Sequence, residues 1–152
     1  MPADTILALV QEQEFFRGLP LELCAQVAAC GQEVQYPSGH YLFFEGEQSD
    51  ALYLVVDGQV ELEMMAGNLG LMRIDLARAG HIVGWTCLVA PYRYTLNART
   101  AAPARLVRFD APALRALCSQ SPALGYELLR RLVIAATGRL GAARRQLLEQ
   151  SA

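Results

Sequence analysis

The sequence predicts a mainly β domain of the α+β class: an eight-stranded β-roll, or jelly-roll barrel, flanked by N-terminal helices and a long C-terminal helix. Three changes of pattern along the chain support this prediction. Residues 1–31 have helical apolar spacing, residues 32–110 break into short alternating runs separated by glycines, and residues 111–150 return to the helical period. A chain of 152 residues can bury one core, so we expect a single domain over 1–152.

The segment PLELCAQVAACG near the N-terminus carries residues typical of both ends of a helix. Pro20 stands near its start and Gly31 at its end, and this order of proline and glycine is the usual one for a helix. We therefore predict a helix here that stops at Gly31.

Strand-like runs follow one another through the central region. They read YLFF, ALYLVV, QVELEMM, LGLMRIDLA, RYTLNART and ARLVRFD, with turn residues about every 8–12 positions. Asp57-Gly58 stands between two of these runs and is typical of a tight β-hairpin turn. Short strands at this spacing are typical of a small barrel or jelly roll.

Two helices are predicted after the strands, a hinge helix and a longer one. Asp110 can cap the segment APALRALCSQ, and Ser121 followed by Pro122 is a cap with proline at the first helical position. The long helix carries an apolar stripe with heptad spacing, made of Tyr126, Leu129, Val133, Ala136, Leu140, Ala143 and Leu147.

A second apolar stripe lies on an adjacent face of the long helix. One stripe can pack on the roll while the heptad stripe meets its equivalent on a second chain, so we predict a homodimer through this helix. The alternative is that both stripes pack within one chain. The second stripe consists of Leu124, Leu128, Leu132 and Ala135.

Charge and hydropathy exclude several classes of protein. The 13 basic residues are all arginines, and they outnumber the acids only after residue 120, so broad nucleic-acid binding by the acidic body is not expected. The chain has no apolar run long enough to span a membrane, and its N-terminus lacks the basic start of a secretory leader. We therefore expect a cytoplasmic protein without membrane association.

The sequence offers no catalytic constellation and no metal-ligand set. His40 and His81 are far apart and each adjoins a turn glycine, which is typical of solvated turn residues. No paired general acid and base or nucleophile motif appears, so we do not expect an enzyme. The cysteines show no CxxC pair and are expected to be free thiols: Cys24, Cys30, Cys87 and Cys118.

The segment YPSGHYLFFEGEQSDALYLVVDGQVEL at 36–62 strongly resembles the opening of a cyclic nucleotide-binding domain of the Crp/Fnr regulator family. The resemblance continues through AGHIVG at 79–84 and ARLVRFD, and it covers about residues 14 to 150. The positions that match the family pattern are Gly39, Glu45, Gly46, Glu47, Asp50, Tyr53, Val55, Gly58 and Val60.

The resemblance implies a phosphate-binding cassette from Gly84 to Thr95, in which helix amides and an arginine hold a cyclic phosphate and a glutamate binds the ribose. Arg93 falls at the place of that arginine. Trp85 stands where the glutamate is expected, and its indole cannot accept a hydrogen bond from a ribose hydroxyl. The candidate ligand-binding residues by this resemblance are Val83, Gly84, Trp85, Thr86, Cys87, Arg93, Tyr94 and Thr95.

Three interpretations of this pocket stay open at the level of sequence. It can bind a cyclic nucleotide, cAMP or cGMP, through Arg93, although an unpaired ribose hydroxyl costs about 1–3 kcal/mol. It can hold another anion or a planar ligand among Trp85, Tyr92, Tyr94 and Arg93. Alternatively, Trp85 fills the pocket, Arg93 packs on an aromatic ring or pairs with an acid, and the domain signals without a ligand.

The sequence thus predicts a non-enzymatic sensor or regulatory module that acts as a homodimer on a protein partner. Family regulators continue after the long helix into a helix-turn-helix that reads DNA, whereas this sequence ends at LLEQSA. We therefore expect a stand-alone domain without direct DNA binding. No cofactor is certain, and a cyclic nucleotide is the ligand that the resemblance allows.

Overall fold

The fold is described from a computed structural model, which covers residues 3–151, with side chains from residue 5 onward. Four α-helices flank the strands, and three short 3₁₀ turns lie between elements. The α-helices are α1 Ala3–Glu12, α2 Leu21–Ala29, α3 Ala111–Gln120 and α4 Pro122–Ser151, and the 3₁₀ turns are Glu14–Phe16, Gly67–Leu69 and Trp85–Leu88. No helix within the described residues is long and apolar enough to cross a membrane.

Eight strands form the roll, as the sequence predicted. They pair antiparallel in two four-stranded sheets, one in the order β1-β8-β3-β6 and the other in the order β2-β7-β4-β5. The strands are β1 Gly31–Tyr36, β2 Tyr41–Phe43, β3 Ala51–Asp57, β4 Val60–Met65, β5 Leu71–Ala77, β6 Ile82–Val83, β7 Asn97–Thr100 and β8 Ala104–Asp110.

Successive side chains along the strands of the first sheet belong to two separate hydrophobic cores. In β3, Tyr53 and Val55 point between the two sheets, whereas Leu52 and Leu54 point to the helices. In β6, Val83 points between the sheets and Ile82 points to the helices. Successive side chains of a strand face opposite sides of a sheet, so this sheet is covered on both faces and the cassette that follows β6 begins at the boundary of both cores.

The predicted hairpin at Asp57-Gly58 is wrong. The two strands that it connects, β3 and β4, lie in different sheets, and β4 forms its hairpin with β5 instead. Gly58 has φ +93°, and a Cβ there would lie 2.5 Å from the Pro103 carbonyl oxygen. Glycine is therefore needed for the tight crossing between the sheets, and a dipeptide that signals a turn does not specify whether the flanking strands pair.

The predicted helix stop agrees with the structure. Helix α2 ends at Ala29 with Cys30 as its C-cap, and Gly31 follows as the first residue of β1. A Cβ at Gly31 would lie 3.0 Å from side-chain atoms of Ile6, Val107 and Phe109. Close packing of α1 against the sheet, rather than the end of a helix, accounts for this glycine.

The two C-terminal helices begin where the sequence predicted. Asp110 caps α3, since its carboxylate accepts a hydrogen bond from the Ala113 amide at 3.0 Å. On α4, Leu124, Leu128 and Leu132 are at most 4% exposed and pack on the helical core. The predicted second stripe is thus the face of α4 that covers the roll.

Candidate functional site

The cassette begins with a glycine whose conformation and surroundings both exclude a side chain. Gly84 follows β6 with φ +87°, in the left-handed region that favours glycine. A Cβ here would lie 3.0 Å from the Ala51 carbonyl oxygen and 3.1 Å from a ring carbon of Tyr94. Gly84 therefore lets the turn Trp85–Leu88 approach β3 and Tyr94 closely.

Tyr94 points into the interior of the roll beneath the cassette, where it lines a cavity of about 420 Å³. Its ring is 5% exposed and stacks on Phe43, with ring centroids 3.6 Å apart and planes 7° apart. The phenol donates to the Ala51 carbonyl oxygen at 2.8 Å and accepts from the Ala51 amide at 3.0 Å. Burial raises the pKa of the Tyr94 phenol above its usual range, so the side chain stays a neutral, fully bonded part of the core.

Arg93 lies on the outside of the roll. It is exposed, and its Nη1 donates to the Gly46 carbonyl oxygen at 2.9 Å. Residue 93 also forms an isolated β-bridge with Gln48, so Arg93 is held against the loop that contains Gly46 and Gln48. The guanidinium pairs with neither an acid nor an aromatic ring among the described residues.

Trp85 points toward the helices and not into the roll. Its half-buried indole packs on the helical core that also contains Ile82 and Cys87. The interpretation in which Trp85 itself fills the nucleotide pocket therefore differs from the structure. Tyr94 is the aromatic side chain that occupies the roll interior, and a single sequence does not reveal which of two neighbouring aromatic residues turns inward.

The other predicted cassette residues have mainly structural surroundings. Val83 is fully buried between the sheets. The Thr86 Oγ1 and the Ser49 Oγ lie 2.9 Å apart, in hydrogen-bond contact. Cys87 is fully buried, and burial raises the pKa of its thiol to about 12, so it carries no reactive thiolate near neutral pH. Thr95 is exposed.

Arg115 on α3 is a residue that the sequence reasoning missed. Its Nη1 donates to the Cys87 carbonyl oxygen at 2.7 Å, and its guanidinium lies 4.8 Å from the centre of the Tyr92 ring. Both ends of the cassette are thereby tied to the hinge helix. Nothing in the spacing of the sequence indicates this contact, because α3 and the cassette are separate in the chain and meet only in the fold.

The heptad stripe of α4 is largely exposed in the single chain. Tyr126, Val133 and Leu147 are 64–65% exposed, and Leu129 and Leu140 are 42% and 50% exposed. Ala136 is half-buried and Ala143 is exposed. The intramolecular alternative, in which both stripes pack within one chain, does not match these exposures.

Two α4 arginines form buried contacts instead of facing solvent. Arg131 is 8% exposed, forms an ion pair with Glu127 and donates to the Arg17 carbonyl oxygen at 2.8 Å. Arg139 is four-fifths buried and faces Asp75 of β5 at 3.5 Å. Hydrogen bonds from Arg131 and Arg130 hold the pKa of the Glu127 carboxyl below its usual range. These arginines therefore connect α4 to the rest of the domain.

Comparison with known proteins identifies the family. Residues 33–121 match the model of the cyclic nucleotide-binding domain. This stretch is more than half of the chain, and the chain belongs to the cyclic nucleotide-binding domain family. The histidines do not add a metal site to this fold: among the described residues, no three histidine, cysteine or acidic side chains are grouped to hold a metal ion.

The relatives include a transcriptional regulator. The chain is 30% identical over 129 residues to the CRP-like cAMP-activated global transcriptional regulator of Mycobacterium tuberculosis, an alignment that covers 85% of this chain and 56% of the relative. The chain thus spans little more than half the length of that regulator.

Solved structures agree with the fold. A protein from Geobacter metallireducens superposes with a TM-score of 0.80 at 28% identity, covering 92% of this chain and 98% of the other. A cyclic nucleotide-binding domain from Methylobacillus flagellatus superposes with a TM-score of 0.81 at 24% identity, covering 97% of this chain and 83% of the other. At this last identity, the likeness supports the fold alone.

Proposed function

We propose that this chain is a non-enzymatic regulatory module of the cyclic nucleotide-binding domain family whose roll does not hold a cyclic nucleotide in the family manner. The observation that carries the proposal is the position of Tyr94. Its ring stacks on Phe43 and its hydroxyl bonds to both backbone groups of Ala51. Tyr94 therefore takes up part of the space between the sheets beneath the cassette, and it forms one wall of a cavity of about 420 Å³ that Phe43 and Tyr53 also line.

The charge around the cassette supports the same conclusion. A cyclic phosphate needs a directed donor such as an arginine fork, but the guanidinium of Arg93 is exposed and bonded to Gly46 on the outer side. Trp85 replaces an acceptor for the ribose with a donor-only indole that packs on the helices. To bind a nucleotide in the family manner, Tyr94 would have to leave its buried position. The guanidinium of Arg93 would have to leave the Gly46 carbonyl and turn toward the phosphate.

Output through α4 follows from its two apolar faces. Leu124, Leu128 and Leu132 bind α4 to the roll, while Val133 and Leu140 on the heptad stripe are exposed in the single chain. An exposed heptad seam on a helix of 30 residues is typical of pairing with a second helix. We propose a homodimer through this seam, and a protein partner that recognises the arrangement of the paired helices.

The second candidate function is a regulator that binds cAMP or cGMP. Membership of the family favours it, and so does Arg93, which falls at the place that the resemblance gives to the phosphate-binding arginine. This function requires the cassette to rearrange when the nucleotide binds, so that a state with Tyr94 displaced becomes the populated one.

Isothermal titration with cAMP and with cGMP tests the two candidates directly. The proposal expects no binding heat at about 1 mM of either nucleotide. Saturable binding near the micromolar range that is lost in Arg93→Gln would establish the second candidate and overturn the first. Arg78→Gln is the matched control, because Arg78 is also exposed but lies outside the cassette.

A further inference from the structure

A cavity of about 630 Å³ lies beside α4, on the helical side of the first sheet. Its walls come from the 3₁₀ turn Glu14–Phe16, from β6 and the cassette turn, and from the middle of α4. Sites for small molecules commonly measure about 300–1,000 Å³ and combine apolar walls with a few polar groups. Phe15, Ile82, Trp85 and Ile134 supply apolar wall here.

The polar groups of this cavity carry an excess of positive charge. Four arginines line it against two acids, Glu14 and Asp75. Arg130 and Arg131 share the single carboxylate of Glu127. The four arginines are Arg17, Arg130, Arg131 and Arg139.

Arg139 is the group whose bonding is incomplete. Its Nε lies 3.5 Å from the Asp75 carboxylate and its Nη1 lies 3.5 Å from the Ile82 carbonyl oxygen, both long contacts. Its Nη2 is buried and has no hydrogen-bond partner among the described residues. Burial lowers the pKa of Arg139. A buried charged donor without a partner is costly. Arg139 also lines the cavity, so an anion bound there that draws the guanidinium toward itself would supply the missing acceptor.

We propose that this cavity binds a small planar organic anion, such as an aromatic carboxylate, with the carboxylate on Arg139 and the rings against Trp85. An indole offers a flat apolar face for stacking, and an arginine fork matches the geometry of a carboxylate. Arg139, which carries the unpaired donor, and Trp85 both line this cavity, so a single ligand of this class can contact both.

The cavity is separate from the roll interior and from the heptad stripe. Trp85 and Ile82 face the helical core, whereas Val83 and Tyr94 face the space between the sheets. On α4, Gly138 lines the cavity, and at 3.6 residues per turn it lies nearly opposite Leu140 of the stripe. The inference therefore does not rest on whether the roll takes a nucleotide or on whether α4 forms a dimer.

Calorimetric titration of the full chain with 2-naphthoate tests this site, with 2-naphthamide as the uncharged probe of the same shape. We expect saturable binding of 2-naphthoate below about 1 mM, and binding of the amide at least about 10-fold weaker. Arg139→Gln should weaken the binding of 2-naphthoate by a similar factor. Arg144→Gln, a change on the same helix outside the cavity, should have no effect.

Gly138→Leu provides an independent variant that is expected to fold. A Cβ at Gly138 meets no atom within 4 Å, and leucine favours a helix more than glycine does. The added side chain occupies the cavity, so 2-naphthoate binding should be lost while the thermal midpoint is retained or raised. Three outcomes would each overturn the proposal. They are equal binding of 2-naphthoate and 2-naphthamide, no binding of 2-naphthoate at about 1 mM, and unchanged binding of 2-naphthoate in both variants.

Discussion

The hydroxyl of Tyr94 satisfies both backbone groups of Ala51, accepting from its amide at 3.0 Å and donating to its carbonyl oxygen at 2.8 Å. Ala51 begins β3 and is 1% exposed, so these groups have no access to water. One side chain from the cassette thus completes the hydrogen bonding of a central strand, which makes the cassette part of the core.

Tyr94→Phe should lower the free energy of unfolding by about 1–3 kcal/mol, because it leaves a buried amide and a buried carbonyl of Ala51 without partners. Urea denaturation followed by circular dichroism measures the change. Tyr92→Phe is the matched control: Tyr92 is 40% exposed, phenylalanine keeps the ring beside Arg115, and the change should alter the free energy by no more than about 0.5 kcal/mol. Equal stability of Tyr94→Phe and the wild type would show that the hydroxyl is not bonded in this way.

Alkaline pH should destabilise the domain through Cys87. Burial raises the pKa of this thiol to about 12, whereas the unfolded chain ionises near its ordinary value, so the unfolded state loses its proton first. The contribution is complete below the unfolded pKa and is lost as pH rises toward the folded one. Between about pH 8 and 10, the loss of stability from this group amounts to about 1–2 kcal/mol.

Urea denaturation across this pH range measures the effect, and Cys87→Ala should reduce the slope because alanine does not ionise. The variant will have a lower starting stability, so the slope and not the absolute value is compared. Identical slopes for Cys87→Ala and the wild type would contradict the assignment to Cys87.

Leu140→Glu should convert the proposed homodimer to monomers, raising the dissociation constant by about 100-fold or more, because it buries an unpaired charge in the helix pair. Sedimentation velocity measures the oligomeric state. Leu148→Glu is a matched control on the same helix: Leu148 is 72% exposed and lies off the heptad stripe. A wild-type chain that sediments as a monomer, or equal dissociation of both variants, would contradict the dimer.

Gly58→Ala should cost about 3 kcal/mol or more, because it adds a clash with the Pro103 carbonyl to the strain of the left-handed backbone. Gly67→Ala separates the two causes: Gly67 also has positive φ, but a Cβ there meets no atom within 4 Å. It should cost only about 1 kcal/mol. Thermal unfolding of both variants measures the difference. Equal losses of stability would show that the close approach of residue 58 to the Pro103 carbonyl adds nothing to the cost.

Local signals predicted the elements well and the directions of the cassette side chains poorly. The Asp110 cap and the two stripes of α4 depend on spacing within one element, and the structure agrees with both. The direction of Trp85 and Arg93 depends on which side chain Phe43 and Ala51 accept between the sheets. The direction of these side chains is thus set by residues about 40–50 positions away in the chain, and a single sequence does not reveal such contacts.

The contacts of the α4 arginines could not be predicted for a related reason. The Arg17 carbonyl and the Asp75 carboxylate become partners only when the N-terminal turn and β5 pack beside α4. The same long side chain can serve a surface or a buried contact, so residue type alone did not separate Arg131 from Arg144.

Arg131 and Arg139 join α4 to two different parts of the domain, the N-terminal segment through the Arg17 carbonyl and the second sheet through Asp75. A shift of α4 along its axis by one turn, about 5.4 Å, would separate both pairs together. A movement of α4 along its axis is therefore expected to break the contacts with the N-terminal segment and with the second sheet at the same time.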